Sequence, residues 1–136
     1  DGLAIGAYMA GNACGEIYDQ DKILAGALAD DDRTIISSHR LMLEGYERNM
    51  GGNTSIGCII TNADLTKTEC GLARSIRPVH TSMDGDTLFT MASGEVKTTI
   101  DTVGYLAEEA VRLAVLDAAA SAEGMGGRPA YRDIIK

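Results

Sequence analysis

The chain has 136 residues, a mass of 14.3 kDa and a formal net charge of -8 at pH 7. That length suffices for one domain with its own core, and 45% hydrophobic with 24% charged residues excludes disorder of the chain as a whole. The acidic field repels phosphate backbones, and no Lys/Arg cluster interleaves with aromatic residues, so nucleic acid is excluded as a partner.

With 16 glycines, one Phe and no Trp, the core must be built from Ala, Val, Ile, Leu and Met. Cys14, Cys58 and Cys70 are odd in number and form no C-x-x-C pair, which points to free buried thiols in a reducing, cytoplasmic setting rather than to a disulfide or zinc site. No 18-residue apolar run and no basic-then-apolar leader occurs, so no membrane partner is expected. The first residue is Asp1 rather than Met, and the chain is expected to be a piece of a longer precursor.

In chain order, residues 3–10 form a nearly continuous apolar run that predicts a strand buried on both faces. Residues 11–15 read as a turn, with Asn12 and its flanking glycines tolerating left-handed backbone, and residues 16–19 as a second short strand followed by a loop through Gln20, Asp21 and Lys22. Between 29 and 53 lie an acidic run, Asp30 to Asp32, and a stretch of mixed polarity in which Ile35, Leu41, Leu43 and Tyr46 fit part of a helix. His39 reads as solvated there, and the region as a connection feeding Gly51-Gly52.

Residues 54–61 are rich in β-branched side chains and give the clearest strand signal. Residues 65–76 suit a helix capped by Thr66 with Glu69 three residues on, weakened by Gly71. Pro78 then turns Arg77 to Thr81 into a loop. Residues 83–87 make a tight acidic turn, and 88–92 a further strand. Asp101 or Thr102 is expected to cap the longest helix, 103–122, with Leu106, Ala107, Ala110, Val111, Ala114, Val115 and Leu116 on its apolar face and Gly124 past its end; the tail 126–133 reads as irregular. Strands alternating with helices make an α/β chain.

The stretch with chemical meaning is Gly51-Gly52-Asn53-Thr54-Ser55. A peptide bond preceding Thr rearranges when the hydroxyl attacks the preceding carbonyl, giving an ester that water hydrolyses; Gly51 and Gly52 permit the unusual backbone this needs. Cleavage at Asn53–Thr54 would leave Thr54 with a hydroxyl nucleophile and an α-amine of pKa roughly 8, which serves as base for its own hydroxyl. No histidine is required, and His39 and His80 are poorly spaced for a triad. By itself the string also reads as a loop entering a strand. Asp84-Gly85-Asp86 is equally open: it orients an amine, holds a cation or forms a solvated turn, and it lacks the remainder of a calcium loop, so neither metal nor cofactor is expected.

The order of motifs is more specific. Asn53-Thr54-Ser55-Ile56-Gly57, Thr61-Asn62-Ala63-Asp64-Leu65-Thr66-Lys67, Gly71-Leu72-Ala73-Arg74-Ser75-Ile76-Arg77-Pro78-Val79-His80-Thr81, Asp84-Gly85-Asp86-Thr87-Leu88-Phe89 and Pro129-Ala130-Tyr131-Arg132-Asp133 together closely resemble the DmpA/P1 family of L-aminopeptidase/D-esterases, β-aminopeptidases and endo-type nylon-oligomer hydrolases. The resemblance implies a four-layer α/β/β/α sandwich similar to the N-terminal nucleophile hydrolases, of which this chain is the C-terminal portion. Residues 1–136 then form a single domain, with 1–53 the end of the α-chain portion and its processing linker and 54–136 the β-chain portion. It implies Thr54 as nucleophile, Asn12 as oxyanion stabiliser, and Asp84 and Asp86 as the carboxylates that orient the Thr hydroxyl and amine. Family members are longer, and their upstream half, with a lysine in the nylon-hydrolase branch, is not in this sequence; the family helix between Lys67 and Gly71 is also longer.

The resulting expectation is an autoprocessed amide hydrolase of the aminopeptidase type, cut at Asn53–Thr54 and acting through an acyl-enzyme on Thr54. Its partners would be a small peptide or amide substrate, the upstream portion of the same precursor and further copies of itself. Two competitors stand beside it: an endo-acting oligoamide hydrolase of the same family, and a noncatalytic α/β assembly or ligand-binding subunit.

Overall fold

The computed structural model describes residues 2–13, 15–45, 53–64, 76–77 and 85–135. In chain order they form β1 (Ile5–Ala10), β2 (Glu16–Asp19), β3 (Lys22–Ala25), α1 (Ser38–Leu43), β4 (Ile56–Ala63), β5 (Ile76–Arg77), β6 (Thr87–Val96), α2 (Ile100–Ser121) and α3 (Tyr131–Ile134). The architecture is mixed α/β.

One sheet has the order β1-β4-β6. β1 runs antiparallel to β4, pairing Ile5 with Thr61 through to Ala10 with Ile56, and β6 runs parallel to β4, pairing Ile56 with Thr87 and Ile60 with Met91. The start of the chain is stitched alongside: the Asn62 side chain accepts the Ala4 N–H at 2.7 Å and donates to the Gly2 carbonyl at 3.0 Å, while the Thr61 hydroxyl donates to the Ala4 carbonyl at 2.9 Å. The second sheet, β3-β2-β5, is antiparallel throughout, and Gln20, in left-handed backbone with φ 55°, sits at the tip of the β2–β3 hairpin.

α2 covers one face of the first sheet. Its buried residues, Val103, Ala107, Val111, Val115 and Ala119, recur every fourth position and so lie on one stripe. Ala107, Val111 and Val115 cluster with Ile59 and Ile76, against which Ile5, Ala7, Met9, Ile17 and Leu88 pack.

Several expectations change. The run at 3–10 is not buried on both faces: Ile5, Ala7 and Met9 are half-buried in the core cluster, whereas Gly6, Tyr8 and Ala10 are exposed, because among the described residues only one side of the sheet carries a helix. Tyr8, Ile56, Ile60, Phe89 and Met91 leave an open apolar face on the other side. Lys22 belongs to a strand, not a loop: it pairs with Asp19 across a tight hairpin, and Ile23 beside it pairs with Tyr18. Ile76 and Arg77 pair with β2 rather than ending a helix and opening a loop; the expected helix at 65–75 lies outside the described residues.

The long helix starts at Ile100 and is capped by Thr99, whose hydroxyl accepts the Thr102 N–H at 3.2 Å, rather than by Asp101 or Thr102. Its apolar stripe excludes Leu106, which is exposed, and it stops at Ser121 before Gly124. The tail is not wholly irregular: it forms α3, whose first turn is closed by Asp133 accepting the Ala130 N–H at 2.8 Å. No helix among the described residues is long and apolar enough to cross a membrane.

Candidate active site

Register alone brings the separated motifs together. β1 and β4 pair Ala10 with Ile56, and carrying that antiparallel register two residues further sets Asn12 opposite Thr54. β4 and β6 pair Ile56 with Thr87, and carrying the parallel register back sets Gly85 and Asp86 beside Thr54 and Ser55. Three strand ends therefore deliver Asn12, Asn53-Thr54-Ser55 and Gly85-Asp86 to one edge of the sheet, with β4 in the middle.

Hydrogen bonds confirm the continuation. The Thr54 N–H donates to the Asn12 carbonyl at 3.1 Å, and the Gly85 N–H donates to the Asn53 carbonyl at 3.0 Å. Both polar groups of the single peptide unit Asn53–Thr54 are thus held, from opposite sides. One residue on, the Ser55 carbonyl accepts the Thr87 N–H at 2.9 Å and the Ser55 N–H donates to Asp86 Oδ1 at 2.8 Å. Gly85 is close to the Thr54 side chain: a Cβ built on it would lie 2.7 Å from Thr54 Oγ1.

Of the residues expected at the site, Asn12, Asn53, Thr54 and Asp86 converge, and Asp84 lies outside the described residues. Asn12 meets Thr54 through its main-chain carbonyl. Asp86 engages the backbone of Ser55, one residue beyond the expected nucleophile.

Two features were not read from the sequence. The N–H of Gly85 is one, although its neighbours were singled out; a main-chain donor leaves no side-chain signature. The other is Ser55, fully buried on the α2 side of the sheet, whose hydroxyl has no hydrogen-bond partner among the described residues. It lines a cavity of about 240 Å³ with Met9, Ile76, Val115 and Tyr131. The Asn53 side-chain amide nitrogen is likewise buried without a partner among the described residues. A more open concavity of about 710 Å³, around Asp31 to Arg33 and Gly124 to Pro129, shares no residue with this edge. Among the described residues no group of His, Cys, Asp and Glu is arranged to hold a metal ion.

No family model matches the chain. Individual relatives do. An uncharacterized aminopeptidase of Mycobacterium leprae is 38% identical over 103 residues, covering 58% of this chain and 28% of the relative. An uncharacterized aminopeptidase of Mycobacterium tuberculosis is 35% identical over 106 residues, covering 60% of this chain and 31% of the relative. A 6-aminohexanoate-oligomer endohydrolase of Kocuria is 39% identical over 54 residues, 33% of this chain and 15% of that enzyme. The chain thus spans less than a third of the length of the curated relatives it matches. The names of these relatives, aminopeptidases and a 6-aminohexanoate-oligomer endohydrolase, are consistent with the DmpA/P1 resemblance of the sequence.

Proposed function

We propose that this chain is the nucleophile-bearing part of an amide hydrolase that cuts itself between Asn53 and Thr54 and then turns over substrates through an acyl-enzyme on Thr54. The observation that carries the reading is the grip on one peptide unit, with Gly85 on its carbonyl, Asn12 on its N–H and the Thr54 side chain against Gly85. Groups held in fixed geometry contribute to catalysis by orientation, at no further entropic cost during reaction.

In this reading Thr54 is the nucleophile, and its freed α-amine acts as base, held by the Asn12 carbonyl that already accepts its N–H. Asn12 also offers a side-chain amide to the oxyanion, and Asp84 and Asp86 set the position of the hydroxyl and amine; Asp86 does so by fixing Ser55. The relatives' names support a hydrolase of amide bonds, either an aminopeptidase or, given the 39% identity to the 6-aminohexanoate-oligomer endohydrolase, an endo-acting oligoamide hydrolase. The open apolar sheet face of Tyr8, Ile56, Ile60, Phe89 and Met91 supports the four-layer sandwich, in which a second sheet, supplied in part by the upstream portion of the precursor, lies against it. Assembly into homo-oligomers belongs to the same proposal.

Intact mass and N-terminal sequencing of the full-length protein test the first step: the expected result is a second chain beginning at Thr54, absent in Thr54→Ala. A chain that stays whole on prolonged incubation counts against the reading. Comparing aminoacyl amides with N-blocked oligoamides separates the two hydrolase readings. A hydroxyl-directed acylating probe that leaves Thr54 unlabelled in the processed protein would favour a noncatalytic subunit instead.

A further inference from the structure

The N–H of Gly85 points at the carbonyl oxygen of Asn53 from 3.0 Å, and the position of a Cβ on the same residue is 2.7 Å from the Thr54 hydroxyl oxygen and 3.7 Å from that carbonyl oxygen. One residue therefore touches both reacting atoms of the scissile unit, the electrophile's oxygen through its N–H and the nucleophile through the side it leaves bare. We propose that the main-chain N–H of Gly85 is the oxyanion donor for cleavage of the Asn53–Thr54 bond, and that it passes to the substrate's carbonyl once Asn53 has left. The inference rests on the self-processing reading above and adds to it a group that the side-chain motifs do not name.

The chemistry places charge where this donor already stands. Thr54 Oγ1 bonds to the Asn53 carbonyl carbon, and the carbonyl π pair moves onto the oxygen facing Gly85. The C–N bond to Thr54 then breaks, the hydroxyl proton goes to the departing nitrogen, and an ester joins Asn53 to Oγ1. Water adds to that ester, one of its protons returning to Oγ1 and the other passing to solvent, which leaves the Asn53 carboxylate and a free Thr54. Acyl transfer from substrate repeats the first step with the substrate's carbonyl in the position Asn53 vacates. A hydrogen bond preformed in the uncut state strengthens as the oxygen gains charge, which is the requirement for a transition-state donor.

The bare Cα is part of the same device. A Cβ at position 85 would lie 2.7 Å from Thr54 Oγ1, so an L side chain there would force the Thr54 hydroxyl out of the place it holds beside the donor. Asn12 cannot substitute for this contact through its main chain, because its carbonyl is an acceptor engaged on the other side of the peptide.

The test replaces Gly85 in the full-length protein with glycolic acid, which exchanges the N–H for an ester oxygen and adds no bulk. Processing, followed by intact mass, is expected to slow by about 10²–10³-fold; cleavage within about threefold of wild type would overturn the proposal. Should the ester variant not fold, amide hydrogen exchange at Gly85 decides instead. Protection in uncut Thr54→Ala and its loss in the processed wild type is the expected pattern, and equal protection in both would overturn the transfer of the donor to substrate. The two layers separate cleanly: if the wild type does not cut itself, or Thr54→Ala does, the processing reading itself fails. If both behave as expected and the ester variant cuts at the wild-type rate, only the role of Gly85 is lost.

Discussion

Asp86 Oδ1 accepts the main-chain N–H of Ser55 at 2.8 Å, so a carboxylate from the head of β6 fixes the residue that follows the candidate nucleophile on β4. A carboxylate bonded to a backbone N–H is a charge-assisted contact, and its loss leaves the start of β4 free to shift relative to Gly85. Asp86→Ala is expected to slow processing by about ten- to a hundredfold, matching the roughly 1.5–3 kcal/mol of such a bond, while Asp86→Asn, which keeps an acceptor, retains more. Time courses of precursor cleavage by gel and mass check the order; an Ala variant as fast as wild type would show that this bond does not position Thr54.

Gly57 sits at the tightest crossing of the first sheet. A Cβ there would lie 2.2 Å from Met9 Sδ and 2.5 Å from Leu88 Cδ2, its partners on the two flanking strands. Gly57→Ala should therefore destabilise the fold by about 1–3 kcal/mol through overpacking. Urea denaturation measures it, and an unchanged midpoint would mean that both side chains swing aside at no cost.

Glu16 is fully buried, and its Oε1 accepts the Ser38 N–H at the start of α1, tying that helix to β2. Removing the acceptor in Glu16→Ala should cost about 1–3 kcal/mol and loosen residues 37–43 first. Glu16→Gln keeps an acceptor and is expected to fall between Ala and wild type. Thermal unfolding together with hydrogen exchange at Ser38 distinguishes the two variants.

Asp31 organises the exposed turn before α1. Its carboxylate accepts the Thr34 hydroxyl at 2.5 Å, the Thr34 N–H at 2.8 Å and the Arg33 N–H at 2.9 Å, and these bonds, the Thr34 hydroxyl first, lower its pKa from 3.8 to about 2. Because the folded value lies below the ordinary one, the contribution to turn stability is complete above about pH 3.8 and is lost as the pH falls through about 2. Carbon NMR titration of the Asp31 carboxyl should show that low midpoint, and Thr34→Val should move it upward. A wild-type midpoint near 3.8 would refute the arrangement.

The strand expected at 54–61, found at 56–63, and the long helix expected at 103–122, found at 100–121, were legible because each carries its own local signal: a β-branched, apolar run for the strand and an apolar period near four for the helix. The boundaries were less so. Thr99 takes the cap over Asp101 and Thr102 because its hydroxyl, on extended backbone, reaches the Thr102 N–H, and the tail's short helix has its first turn closed by a side chain, Asp133, reaching back to Ala130. β3 and β5 are four and two residues long, too short for periodicity to speak, and exist by pairing with β2.

At the site, the sequence by itself named Thr54, Asn12 and Asp86 from an ordered set of motifs, and it fixed the α/β class through elements whose apolar spacing is local. It could not say that Asn12 faces Thr54 through its carbonyl, that Asp86 holds Ser55, or that Gly85 places its N–H on the Asn53 carbonyl. Those relations belong to strand register, which pairs residues more than thirty positions apart; the Asn12 and Gly85 contacts use main-chain groups that carry no side-chain signature, and the Asp86 carboxylate meets Ser55 only because register sets the two side by side. Only the tertiary structure decides them, because a backbone hydrogen bond is specified by where two strands lie relative to one another and not by the identity of the residues that make it.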